Sequence, residues 1–181
     1  MMNTRNTIMK RILICIICVI LVVGIAACGS KNEEPPVGNE GETFTFSTKD
    51  IDGNAFTSDD VKDAKLVMIN LWEPWCGPCV EELPYLAKVY EENKDRGFVI
   101  LGVFSETTMD EEARSTLSKA GVTYPILRAN EEFSGFETGY VPTTVFLTGE
   151  GKLISEEPLI GSRSYEDWTI IVQSLLDDLE Q

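Results

Sequence analysis

There is no histidine anywhere in the 181 residues. That absence removes Ser-His-Asp and Cys-His nucleophiles. It also removes c-type haem attachment, which needs histidine directly after the second cysteine of a Cys-x-x-Cys pair. Basic residues are scarce too: 15 Lys and Arg against 30 Asp and Glu give a formal charge of −15. Three of the basic residues (Arg5, Lys10, Arg11) precede Cys28 with no acidic residue among them, so the rest of the chain is more acidic still. Neutralising phosphates takes a basic surface, so nucleic acid is not an expected partner. The acidity reads as solubility, with a preference for basic partners as the alternative. Cysteine is sparse outside the N-terminal segment, where Cys15, Cys18 and Cys28 lie; only Cys76 and Cys79 follow. One pair cannot supply the four ligands of a zinc site, and no metal is expected.

What is present begins with an export pattern. Basic residues up to Arg11 precede the apolar run 12–23, and small residues follow in Gly24-Ile25-Ala26-Ala27-Cys28-Gly29-Ser30. This is the order of a secretory signal, and the run is short for a membrane span. Ile25-Ala26-Ala27-Cys28 resembles the bacterial lipobox, in which the cysteine is lipidated and becomes the mature N-terminus. An uncleaved signal anchor and an ordinary cleaved signal are the alternatives, and each leaves the domain outside the cytoplasm. Cys15 and Cys18, inside the apolar run, read as small hydrophobes. The expected organisation is a lipoprotein signal peptide over 1–27, a flexible tether over 28–42 and a globular domain over 43–181. The tether follows from its Gly, Pro, Asn and Glu content, and 43% hydrophobic residues suit one core.

Within that domain, Thr43-Phe44-Thr45-Phe46-Ser47 alternates as a strand, and Asp52-Gly53-Asn54 marks the turn of an N-terminal hairpin. Ser58 to Val61 predicts a helical turn. The apolar runs 66–71 and 98–104 predict strands buried on both faces. Helices are expected over about 77–95 (closed by Gly97), over 109–120 (closed by Gly121), and over 165–179. The last carries an apolar stripe of Trp168, Ile171, Val172, Leu175, Leu176 and Leu179. Short strands are predicted at 124–127, 144–147 and 152–155, with a helical turn and loop over 131–139. Strands alternating with helices predict an α/β protein, a sheet covered on both faces.

Cys76-Gly77-Pro78-Cys79 lies where the strand 66–71 gives way to a helix. A helix N-terminus offers free amides and the positive end of the macrodipole, which stabilise a thiolate. That lowers a thiol below its free pKa of about 8.5 and makes it nucleophilic near neutral pH. Pro78 suits the first helical turn, where its missing N–H has no partner to lose. The pattern points to dithiol–disulfide exchange.

Trp75-Cys76-Gly77-Pro78-Cys79 resembles the active site of the thioredoxin family, and Pro84 falls where that family kinks the same helix. Val141-Pro142-Thr143 resembles its cis-proline loop, and Ile160-Gly161-Ser162 the glycine loop of its substrate groove. The resemblance covers roughly residues 43–181 and is greater to the extracytoplasmic ResA/TlpA branch. Asn70 stands where cytoplasmic thioredoxins carry a buried Asp, and Glu82 matches the branch's active-site glutamate. The strand–helix–strand over about 98–127 matches its βα insert. The resemblance implies a thioredoxin fold: a central mixed sheet with helices on both faces, an N-terminal β-hairpin and the insert.

It also implies roles. Cys76 is expected to be exposed and to attack a client disulfide, and Cys79 to be buried and to resolve the mixed disulfide. Glu82, at i+3 from Cys79, would accept its proton; the alternative is a solvated glutamate like Glu81. Trp75, Gly77, Pro78, Val141, Pro142 and Gly161 are the expected substrate-binding residues, with Val141 offering backbone to a client strand. For Pro142 a plain turn proline is the alternative. Trp72 reads as a core aromatic, and Glu73-Pro74 is given no role.

The function these residues imply is an extracytoplasmic, membrane-anchored thiol–disulfide oxidoreductase. Gly-Pro between the cysteines resembles the reducing members, whose potentials lie near about −270 mV rather than about −120 mV. Its redox-active Cys76–Cys79 disulfide needs no further cofactor. The implied partners are disulfide-containing clients (apocytochrome c, or an oxidised surface repair enzyme such as a methionine sulfoxide reductase) and a membrane electron donor of CcdA type. The lipid on Cys28 supplies the membrane contact, and a monomer is expected. A peroxiredoxin-like peroxidase would need a threonine at position 73, which is Glu. A copper-delivery lipoprotein would need Cys-x-x-x-Cys and a distant histidine, and both are missing.

Overall fold

Two patterns of hydrogen bonding organise the chain, one parallel and one antiparallel, and they meet on the strand that leads to the cysteines. In this computed structural model residues 43–155 and 157–181 are described. The signal segment, Cys28 and the tether lie outside them. A two-stranded hairpin comes first, β1 (Ser47–Lys49) and β2 (Ala55–Thr57), paired antiparallel. Then follow β3 (Leu66–Leu71), α1 (Gly77–Asn93), β4 (Phe98–Phe104), α2 (Asp110–Ala120) and β5 (Ile126–Arg128). The chain ends with β6 (Thr143–Leu147), β7 (Leu159–Ile160) and α3 (Tyr165–Leu179). The main sheet has the order β5-β4-β3-β6-β7. β3 runs parallel to β4 and antiparallel to β6, so it lies at the centre.

Period-two alternation along β3 divides the core. Leu66 and Met68 face a cluster that includes Leu83, Leu86 and Val89 of α1, Ala113 and Leu117 of α2, and Trp168, Val172 and Leu176 of α3. Val67, Ile69 and Leu71 face the other way, onto Phe46, Val61, Phe133 and Phe136. Both faces are therefore covered, but unequally. The three α-helices of the described residues share one face; the second is closed by Phe44 and Phe46, the hairpin and the 3-10 turns Ser58–Val61 and Glu131–Phe136.

Two expected strands differ: of the strand expected at 43–47 only Ser47 enters a ladder, as the first residue of β1, and that expected at 152–155 is not formed. Residues 43–46 alternate in burial but join no ladder, because the Phe44 N–H donates to the Gly151 carbonyl and the Phe46 N–H to Ser58 Oγ. The alternation recorded which side is buried, not a strand. Residues 152–155 make only an isolated bridge, Leu153 to Leu147. The outer edge of β6 is instead taken at Thr143 and Thr144 by Ile160 and Leu159, which form β7. The strand expected at 124–127 begins two residues later, at Ile126. Helix ends fall close to expectation: α1 stops at Asn93, a 3-10 turn follows, and Gly97 closes it in the left-handed conformation. α1 runs through Pro84, which leaves the Val80 carbonyl without its amide donor. Pro84 lies on the exposed side, where water can replace that bond.

A candidate thiol–disulfide active site

Cys76 is the N-cap residue of α1, with extended backbone at φ −86° and ψ 104°. Its sulfur accepts the Cys79 N–H at 3.2 Å, so one of the helix's unpaired amides is aimed at it. The two sulfurs form a disulfide, with Cα atoms 5.3 Å apart. Cys79 is fully covered and Cys76 is 5% exposed. The expectation of an exposed Cys76 is thus corrected for the oxidised form, and the Val141 carbonyl oxygen lies 3.5 Å from its sulfur. The Val141–Pro142 peptide bond is cis. Gly161 adjoins the same loop, its N–H donating to the Pro142 carbonyl at 2.9 Å. Gly77 and Pro78 begin α1 on the exposed side.

Trp75 is 62% exposed and Tyr140 70%, and both line a cavity of about 260 Å³ beside Val141. Trp72 is buried, as a core aromatic should be, yet one side of it also lines this cavity. Glu82 is not a solvated helix glutamate. It is 1% exposed. Its Oε1 accepts from Asn70 Nδ2 at 3.1 Å, and its Oε2 accepts from Trp168 Nε1 and the Arg163 N–H at 3.2 Å each. Burial raises its pKa above the ordinary glutamate value, and these donors, with the charge of Arg163, oppose the rise. A carboxylate one helical turn beyond Cys79, reluctant to stay charged, is suited to receiving a proton.

Four residues of this neighbourhood have site contacts that their sequence context does not announce. Glu73 is buried, and its carboxylate accepts from the Ser105 N–H and hydroxyl at 2.9 and 2.6 Å and from the Glu106 N–H at 3.2 Å. It ties the loop before the cysteines to the end of β4. Thr144 on β6 accepts from Asn70 Nδ2 at 3.1 Å. Arg163 and Trp168 reach Glu82 from 81 and 86 residues away. The only local signal was a polar atom on an otherwise apolar stripe, the indole N–H of Trp168. Among the described residues no group of three or more Cys, Asp or Glu is placed to hold a metal ion. Nor is any helix there long and apolar enough to cross a membrane.

Thiol exchange is the chemistry this arrangement serves, and the class it defines is the thioredoxin-fold thiol–disulfide redox enzyme. The chain belongs to the AhpC/TSA family, which it matches over residues 37–154. It is 26% identical over 139 residues to the thiol-disulfide oxidoreductase ResA of Bacillus thuringiensis (strain Al Hakam), covering 76% of this chain and 77% of that one. The ResA of Bacillus subtilis (strain 168) is 27% identical over 146 residues, with 79% of each covered. Among solved structures, a thioredoxin-family thiol:disulfide interchange protein from Chlorobium tepidum TLS superposes with a TM-score of 0.64 at 26% identity. That match covers 74% of this chain and 94% of that one, and with it the thioredoxin fold is established.

Proposed function

We propose that the chain reduces disulfides of client proteins outside the cytoplasm, held to the membrane by lipid on Cys28. The observation that carries the reading is the Cys76–Cys79 disulfide at the start of α1, with the Val141 carbonyl 3.5 Å from Cys76. In the reduced form the Cys76 thiolate attacks a client disulfide and one client thiolate leaves. Glu82 takes the proton from Cys79, whose thiolate then attacks Cys76. The Cys76–Cys79 bond forms, the mixed disulfide breaks, and the second client thiolate leaves. Two electrons have passed from the dithiol to the client. A membrane donor of CcdA type returns them, and no cofactor beyond the disulfide takes part. The protein acts as a monomer.

The aromatic cavity at Trp75 and Tyr140 supports the docking of an extended client segment along Val141. Apocytochrome c cysteines and an oxidised surface repair enzyme, such as a methionine sulfoxide reductase, are the clients we favour. The Gly-Pro between the cysteines supports the reducing direction. Reduction of insulin tests the site: Cys76→Ser is expected to abolish it, and survival of activity would sink the assignment. A reduction potential near about −270 mV is expected, and one above about −180 mV would reverse the direction.

The family match makes peroxide the second substrate to weigh. Peroxide reduction would need a hydroxyl at position 73, whereas Glu73 has its carboxylate engaged by Ser105 and Glu106. Peroxide consumption with excess reductant distinguishes the two.

A further inference from the structure

Glu82 is held from the far end of the chain. Its Oε2 accepts from the Arg163 backbone N–H and from Trp168 Nε1, each at 3.2 Å. Arg163 does more than lend an amide. Its Nη1 donates to the Gly161 carbonyl at 2.7 Å, and its guanidinium carbon lies 5.2 Å from the centre of the Trp168 ring, within cation–π range. Gly161 in turn donates to Pro142 at 2.9 Å. One set of contacts therefore runs from the proline loop beside the disulfide, through Gly161, to Arg163 and Trp168, and ends on the buried carboxylate. Arg163 is not needed to cap α3, since the side chain of Ser164 does that by accepting from the Asp167 N–H.

We propose that Arg163 and Trp168 are positioning residues for Glu82, keeping its carboxylate in the proton-accepting form, and that Arg163 links it to the loop where a client segment lies. The inference rests on the reading of Glu82 as the acceptor of the Cys79 proton. In the step concerned, the proton of Cys79 moves to Glu82 and the Cys79 thiolate attacks Cys76 of a mixed disulfide. The Cys76–Cys79 bond forms, the client thiolate leaves, and water protonates it; no other oxidant or reductant is required.

The charge balance around the carboxylate explains why two distant residues matter. From β3 Glu82 meets the amide of Asn70, which in turn bonds the hydroxyl of Thr144 on β6. The charged or titratable groups facing it are Arg163 before α3 and Tyr124 before β5, with Cys79 one turn earlier on its own helix. Tyr124 is itself buried and stays neutral, so Arg163 is the one cation among these groups. Burial disfavours the carboxylate; hydrogen bonds to it and a nearby cation favour it. Without them the carboxylate protonates at higher pH and ceases to act as a base near neutrality.

The test follows resolution of a mixed disulfide. The full chain in detergent, with Cys15→Ala, Cys18→Ala and Cys28→Ala, is reduced and mixed with 5,5′-dithiobis(2-nitrobenzoate). The second phase of chromophore release reports the attack of Cys79 and is measured from pH 5 to 9. Trp168→Phe and Arg163→Ala are each expected to move its midpoint up by about one pH unit, which slows it up to about tenfold on the acid side of the wild-type midpoint and leaves it near wild type at pH 9. Arg163→Lys, which restores a cation, should recover most of the change. Glu82→Gln should flatten the profile. If Glu82→Gln flattens it but both other variants leave the midpoint in place, or slow the phase equally at every pH, the proposal is overturned and the Glu82 reading stands. If Glu82→Gln leaves the profile unchanged, that reading falls, and the proposal with it.

Discussion

Asn70, the last residue but one of the central strand β3, donates Nδ2 to Glu82 Oε1 at 3.1 Å, so an amide and a carboxylate meet in the core. The same Nδ2 also reaches Thr144, while Asn70 Oδ1 is buried without a partner. Asn70→Asp would remove the donor and set two carboxylates about 3 Å apart. The pair is then expected to hold one proton jointly at pH 8, titrating as a unit. Denaturant unfolding should show a loss of about 1–3 kcal/mol at pH 8, most of it recovered at pH 5.

Stability should also fall with pH in the wild type. Burial raises the folded pKa of Glu82, so above the ordinary value of 4.5 the folded state binds more protons than the unfolded state. Its contribution is complete below that value and is lost as pH rises through the folded pKa. The loss is about 1.4 kcal/mol for every pH unit that separates the folded and unfolded values. Glu82→Gln is expected to flatten this slope, because glutamine does not titrate, and a flipped Asn70 can turn its free oxygen to the new amide. Unfolding midpoints from pH 4 to 8 check it; a slope as steep as wild type would show that other groups set it.

Glu73 holds the approach to the cysteines. Glu73→Ala leaves the Ser105 N–H, Ser105 hydroxyl and Glu106 N–H without an acceptor, at a cost of about 1–3 kcal/mol. Because Trp75 lies two residues on and lines the cavity, KM for a client peptide should rise more than kcat falls. Steady-state kinetics on a disulfide peptide separate the two.

Both cysteines are buried in the disulfide form, and it is their proposed roles, Cys76 attacking and Cys79 resolving, that make their loss unequal. Cys79→Ala should accumulate mixed disulfides on Cys76 in membranes, visible as reductant-sensitive bands on non-reducing gels. Adding Cys76→Ser to it should abolish them. The trapped species identify the clients directly.

Gly151 seals the N-terminal segment. Its φ is +85°, and a Cβ there would overlap the Phe44 carbonyl oxygen. Gly151→Ala should therefore destabilise the domain by about 1–3 kcal/mol and pull Phe44 from its packing on Phe136. Thermal unfolding checks this, with Gly77→Ala, which meets nothing within 4 Å, as the comparison.

Local patterns in the sequence determined the elements and the chemistry. The continuous apolar runs 66–71 and 98–104, the spacing of Cys76 and Cys79 and the stripe along 165–179 each depend on neighbours a few residues apart, and such neighbours are visible in one dimension. The family likeness also pointed to Pro142 and Gly161. Edge strands escaped for the complementary reason: 43–46 and 152–155 have the right alternation, but whether a strand forms depends on which segment reaches a free edge, and β7 holds the edge of β6. Only the tertiary structure decided that Glu82 is buried, that Asn70, Arg163 and Trp168 hold it, and that Glu73 anchors the loop before the cysteines. The contacts that hold Glu82 span 12 to 86 residues, and the desolvation that raises its pKa exists only when the chain has closed around it.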